Sequence, residues 1–411
     1  MIRFLILKAF CSLPLENHKM EVRKMKKKGT TGILSVFLAL VLVSGTVISG
    51  VLAAPVVVQP LSLPTVDTTI PSPDPSLFMI DERIKNTTPH WALLAADKEG
   101  QENALNDLKE CSLSSDEVTR LSDGLRKIWS KYPTAIVQSD KGQTLTFASP
   151  QAGVLTYEEN ALLTQADEIL AEYLNEKIGG GNTILWWGDP CHQDIIEISC
   201  LKWGVSSTYA TYAHNAADDP DSWPMIWPPT GFEWLNNFIQ QVCHSYDHYY
   251  NPELGTGLAP TQCANYANSA KSYYDQSSMY NAYTYMGYSS HFLTDVGNPL
   301  HTGMEIEQAL NRWVHDDYEN YVGTNWEAGS GQGYNFKSVI SNNWYYYAMF
   351  NPATSTRSLA GYAKNYDDTL FYLVYNHRYT FRTDPSVRSI TQSCLLDTAK
   401  HSLGLVKYVR D

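Results

Sequence analysis

Five residues between 291 and 319 constrain this chain more than anything else in it. They are His291, Asp295, His301, His315 and Glu319, spaced H-x3-D-x5-H-x13-H-x3-E. On an α-helix, positions four apart lie on one face. His291 and Asp295 meet that condition, and so do His315 and Glu319. Gly297 and Pro299 end the first helix, so His301 arrives from a turn. Imidazole nitrogens and carboxylate oxygens are both good zinc ligands. Two helices that each present a His/carboxylate pair can build a multinuclear site between them. One such pair alone is ordinary surface or core chemistry. The five together, in an aromatic-rich helical segment, point to metal.

The histidines divide the chain. Residues 1–185 contain His18 and His90, and residues 186–411 contain the other nine of 11. Trp and Tyr crowd into the same second segment. It reads as mostly helical, with stretches such as "CHQDIIEISCLKWG", "TGFEWLNNFIQQVCHSY" and "RSITQSCLLDTAKHSLGLVKYV". "TQCANYANSAKSYYDQSSMYNAYTYMGYSSHFLTDV" reads as one long helical run. The catalytic domain is placed at 186–411. Upstream, residues 77–185 form a smaller mixed α+β region. "WALLAADKEGQENALNDLKE" and "YEENALLTQADEILAEYLNEK" have helical spacing, and "TAIVQSDKGQTLTFAS" reads as a hairpin. The Pro-rich stretch 54–76 reads as an extended linker.

Net charge is −13, unevenly placed. Residues 1–28 carry eight Lys/Arg and two acids, which leaves −19 on the remainder. An acidic body does not suit a protein that grips nucleic acid through a broad basic face. "RKMKKKGTTGILSVFLALVLVSGTVISGVLAAP" has the layout of an export signal: basic start, apolar run, small residues. Cleavage after Ala53 places the protein outside the cytoplasm, secreted or in the cell envelope. An uncleaved anchor is the alternative, because Ile33 to Leu52 is long enough to span a bilayer. An exported chain can use its cysteines as disulfides, with Cys243/Cys263 and Cys191/Cys200 as candidate pairs.

At this point the run H-x3-D-x5-H-x13-H-x3-E, with "TDVGNPLH" inside it, resembles the zinc-dependent phospholipase C and P1-type nuclease superfamily. The resemblance covers about 186–411. It implies an all-α, multi-helix, secreted phosphodiesterase with three zinc ions, preceded here by the small mixed region. The gap of thirteen residues between His301 and His315 and the final Glu look like the phospholipase C branch.

The resemblance also implies further ligands. "DHYYNPELG" fits the family's upstream histidine, which makes His248 the candidate and His244 its competitor. "AHNAADDPDSW" fits the preceding acid, giving Asp218 with Asp219 close behind; an acidic turn is the ordinary reading of the same residues. In this family the mature N-terminus is a Trp whose amino group and carbonyl bind zinc beside a histidine. "ILWWGDPCHQDIIEI" looks like that element, with Trp187 five residues before His192. This requires cleavage after Trp186, or before it, and makes 54–185 a propeptide. Trp91 in "HWALLAADKEG" is a decoy, since no His follows it until His192.

By resemblance, His248, His291, Asp218 and Asp295 hold one zinc. Asp295 bridges to a second, held also by His192 and Trp187. His301, His315 and Glu319 hold the third. Asp218 is the candidate general base. The implied substrate is a phospholipid, met by a monomer in transient contact with a membrane surface. A P1-like nuclease acting on single strands is the alternative, favoured by the Trp-x4-His start. A non-catalytic zinc-binding envelope protein is a further one.

Overall fold

The computed structural model describes residues 62–69, 71–72, 77–178, 190–223, 246–303 and 306–411. The export segment, Trp187, His244 and the stretch 230–245 lie outside the described residues. Among the described residues, no helix is long and apolar enough to cross a membrane.

The fold is all-α with a few short strands, as expected. Upstream, α1 (Lys98–Glu110), α2 (Ser115–Lys131) and α3 (Tyr157–Lys177) form three of its longer helices. Local sequence sets two of their starts. Ser114 with Glu117, and Thr156 with Glu159, make capping boxes that satisfy the first free backbone N–H groups of α2 and α3. Between these helices runs the expected hairpin. Strand β3 (Thr134–Ser139) pairs antiparallel with β4 (Gly142–Phe147), and β2 (Phe78–Ile80) joins β4 on the other side in parallel. A second small pairing joins β1 (Thr65–Val66) to β5 (Tyr345–Tyr346) in parallel.

Downstream come α4 (Cys191–Lys202), α5 (Ser207–Ala216), α6 (Ala259–Asp275), α7 (Met279–Asp295), α8 (Arg312–Thr324), α9 (Pro352–Asn376) and α10 (Pro385–Arg410). The long run 261–296 is two helices, α6 and α7. They part at Gln276–Ser278, where Ser277 takes φ 60°, a left-handed conformation that ends a helix.

Residues 60–411 form one compact unit. Its main core runs through both halves of the chain. Trp91, Leu125, Leu163 and Leu170 from upstream share one buried cluster with Trp313, Phe371, Tyr375 and Leu395. Each such side chain contributes about 1.5–3 kcal/mol on burial, so the shared cluster is a large joint stabilisation.

Cys191 and Cys200 are both buried. They sit nine residues apart on α4, about 13 Å at 1.5 Å per residue. A disulfide needs its Cα atoms within about 7 Å, so this candidate pair is ruled out. Cys263 is buried beside Ser289, and its candidate partner Cys243 lies outside the described residues.

Candidate metal centre

Helix α7 is the spine of the site. Its last turns, Ser289 to Asp295, are buried throughout. His291 and Asp295 face the same way, with Nε2 and Oδ2 3.4 Å apart. Helix α5 lies against it at Gly287. A Cβ there would fall 2.4 Å from the Ala213 carbonyl oxygen, so only glycine permits this approach. The close packing brings the end of α5 to the site, where His291 Nδ1 donates to the Ala217 carbonyl at 2.7 Å.

The chain then makes a 3-10 turn, Asp219–Ser222, with Pro220 near its start. That turn delivers Asp221, whose Oδ1 lies 3.2 Å from His291 Nε2 and 3.5 Å from His248 Nδ1. The carboxylate that the fold brings to this group is Asp221, three residues beyond the expected Asp218. A 3-10 helix has three residues per turn, so positions 218 and 221 share a face one turn apart. Asp219 points elsewhere, towards the Tyr288 hydroxyl.

His192 enters from α4, its ring stacked on that of His291 with centroids 4.5 Å apart. Its Nε2 faces Asp295 Oδ1 at 3.5 Å. His248 ends a short 3-10 turn and meets Asp295 Oδ2 at 2.9 Å. Asp295 thus turns one oxygen to His192 and the other to His248 and His291.

Beyond Asn298, His301 arrives on a third 3-10 turn, Pro299–His301. Its Nδ1 donates to the His248 carbonyl at 3.0 Å, and its own carbonyl accepts from Tyr250 N–H at 3.1 Å. These two bonds lock the two turns together. His301 Nε2 then meets Glu319 Oε1 at 3.1 Å and His315 Nε2 at 2.8 Å, both from α8. Asn298 donates to the same Glu319 oxygen at 3.1 Å.

The residues therefore fall into three groups: His192/His291/Asp295, Asp221/His248/His291 and His301/His315/Glu319. Of the residues named from sequence, the fold brings together His192, His248, His291, Asp295, His301, His315 and Glu319. Trp187 lies outside the described residues. A further group, Asp194/Glu197/His214, shares no residue with these. Asp194 Oδ2 is already bound by Lys337 Nζ at 2.9 Å and by Trp326 Nε1 at 2.6 Å.

The hydrogen bonds fix which imidazole nitrogens carry protons. A carbonyl only accepts, so His291 and His301 are protonated at Nδ1. Thr294 Oγ1 donates to the His291 carbonyl, so it accepts from His192 Nδ1. In the neutral form of each of these rings Nε2 is then the lone-pair nitrogen, and it is turned towards a carboxylate. An outer partner on the second ring nitrogen is what orients a metal-binding histidine. His192 Nε2, Asp295 Oδ1 and both Asp221 oxygens are buried with no hydrogen-bond partner. Buried lone pairs facing one another need a cation between them.

The electrostatics agree. Burial pushes His192 down to about 4, with His291 adding to the effect. At His291 burial is outweighed by Asp221 and Asp295, which raise the ring to about 10. At His315 it is outweighed by Glu319 and Asp316, again to about 10. Against the upward push of burial, His291 and His248 hold Asp295 well below the usual carboxylate range, and His315 holds Glu319 at about 2. A buried field that holds protons so strongly also suits divalent cations. The donor set fits zinc in both chemistry and clustering.

An all-α body that gathers three histidine/carboxylate groups around buried helix ends has the make-up of a helical metalloprotein. Sequence comparison narrows the class: the chain is similar to the phospholipase C-like superfamily. A phospholipase C of Bacillus cereus is 26% identical over 171 residues, covering 39% of this chain and 59% of that protein. A second phospholipase C from Bacillus cereus is 25% identical over 171 residues, with the same coverage. The chain thus spans 59% of the length of the curated relatives it matches. Among solved structures, alpha toxin from Clostridium absonum shares 17% identity at a TM-score of 0.37, over 54% of this chain and 63% of that one. Clostridium perfringens alpha-toxin shares 15% at 0.36, over 54% and 62%. No family model matches.

Proposed function

We propose that the protein is an exported zinc-dependent phosphodiesterase of phospholipase C type. On this reading it hydrolyses a phospholipid to diacylglycerol and a phosphorylated headgroup. One observation carries it: three adjoining groups of buried and half-buried imidazoles and carboxylates, two of them sharing His291. His248, His291, Asp221 and Asp295 would hold one ion. Asp295, His192 and a Trp187 terminus would hold a second, and His301, His315 and Glu319 the third.

Zinc ions so held lower the pKa of bound water to about 7 and neutralise phosphate oxygens. The chain's own part is placement and charge. Asp295 ties two groups at a fixed spacing. Asp221 takes the role given to Asp218: a carboxylate that accepts a hydrogen bond from the attacking water and orients it. Asn298 holds Glu319 in its rotamer, and the Ala217, His248 and Thr294 acceptors keep three rings in one tautomer.

Asp221→Ala is expected to lower turnover by about 10²–10⁴-fold, the range for a positioned proton acceptor. Asp218→Ala should cost less than about tenfold. The reverse ranking, measured as kcat on one lipid substrate, returns the role to Asp218.

The deciding experiment expresses residues 54–411 with and without a cleavage that frees Trp187. Zinc content and hydrolysis of phosphatidylcholine and single-stranded DNA are then measured before and after chelation. The expected result is chelator-sensitive lipid hydrolysis, restored by zinc and greater in the cleaved form. Hydrolysis of DNA alone would move the reading to the nuclease branch, which the Trp-x4-His spacing favours. A zinc-loaded protein that hydrolyses neither substrate would remove the enzyme reading.

A further inference from the structure

The resemblance makes residues 54–185 a propeptide if Trp187 becomes an N-terminus. The packing of residues 77–178 argues that this part stays. Trp91 packs against Phe371 with the rings tilted and their centroids 5.9 Å apart, and Phe78 stacks on Tyr372 at 5.4 Å. These rings belong to the single large cluster that also holds Trp313 and Tyr375. Buried polar pairs cross the same boundary. Asp107 accepts from Arg378 Nε at 2.7 Å and from the Tyr379 hydroxyl. Asp167, itself bonded to His90, accepts from the Tyr375 hydroxyl at 2.5 Å. A surface left bare by loss of this region would expose the whole apolar cluster.

The boundary also reaches the metal groups. Helix α8 carries His315 in its first turn and Glu319 one turn later. Its own N-cap residue, Asn311, makes no side-chain cap hydrogen bond. The cap comes from upstream instead. Asn175 on α3 accepts from the Trp313 N–H at 2.8 Å and donates to the Leu310 carbonyl at 2.9 Å. That is the work of an N-cap side chain, done from another part of the chain. At the far end of α9, Asn103 likewise donates to the Asn376 carbonyl at 2.8 Å.

We infer that residues 62–178 are a permanent part of the catalytic unit. Cleavage anywhere between Ile178 and Pro190 then yields a two-chain protein held by one core, in which Asn175 of the upstream chain positions the helix bearing His315 and Glu319. The retention rests on the packing alone. The positioning role rests on the proposed reading that His301, His315 and Glu319 hold a metal ion.

A factor Xa site made by Thr183→Ile, Ile184→Glu, Leu185→Gly and Trp186→Arg leaves Trp187 as a new N-terminus on cutting. The cut protein is expected to show two chains on a denaturing gel and one particle of undiminished mass by light scattering. Separation of the chains under native conditions overturns the inference. For positioning, zinc affinity is read by chelator competition in the cut protein. Asn175→Ala is expected to weaken the loosest zinc by about 10–100-fold, the usual effect of losing an outer partner. Asn175→Asp keeps the acceptor for Trp313 and should restore most of that loss. An unchanged affinity in Asn175→Ala overturns the positioning role. If that variant does not fold, the mass of the cut parent protein still decides retention. A cut protein that stays whole and binds zinc but hydrolyses nothing upholds retention and counts against the enzyme reading alone.

Discussion

Asp295→Ala is expected to abolish turnover, by on the order of 10³-fold or more, about 4 kcal/mol of transition-state stabilisation. It should also release zinc from the two groups that meet at this residue, while the His301/His315/Glu319 group keeps its ion. The argument is electrostatic. Asp295 is fully buried, and its two oxygens face His192 on one side and His248 and His291 on the other. Without it, three imidazoles crowd together in a dry interior with Asp221 as the remaining acid of those groups. Asp295→Asn keeps the shape and loses the charge, so it should be nearly as inactive but more stable. Zinc content by atomic absorption, with kcat on one lipid, checks both. Full zinc content with kcat within tenfold of the parent would sink the bridging role.

Asp107→Ala is expected to cost about 3–5 kcal/mol of stability, because it strands Arg378 as a buried charge without its partner. Arg378 is 2% exposed, and its remaining bond from Nη1 goes to the Tyr375 carbonyl. Domains are stable by only about 5–15 kcal/mol, so the loss is a large share of the total. Urea unfolding of the metal-free protein measures it without interference from bound zinc. A loss under about 1 kcal/mol would show that water reaches Arg378 and that the pair is no true buried contact.

The metal groups were legible where helix geometry alone fixes them. The spacing of four between His291 and Asp295, and between His315 and Glu319, leaves no freedom once each segment is helical. Pro299 made His301 a turn residue by local sterics. Asp221 was not legible, because "DDPDS" offers several acids and only the 3-10 turn selects among them. A pattern of acids three apart across a proline, 218 and 221, was the available signal. The break at Gln276–Ser278 was hidden for another reason. Its polar residues suit a solvent-facing helix as well as a turn, and Ser277 carries no glycine-like mark for its left-handed backbone. Helix α5 went unread because its alanines and tyrosines show no clear apolar stripe. The joint core was the least visible feature. Periodicity shows that α3 has a face to bury, and says nothing of which distant helix will cover it.

Gly287 has a consequence for how this site fails. One added methyl group there would press against the Ala213 carbonyl and part α5 from α7. The Ala217 carbonyl would withdraw with α5, and with it the acceptor that keeps His291 from flipping. The 3-10 turn bearing Asp221 hangs from the same helix end and would move too. A substitution that touches no ligand would thus disturb two of them at once, in a protein that still folds. Tolerance to mutation here is set by the spacing of two backbones as much as by the side chains that would hold a metal ion.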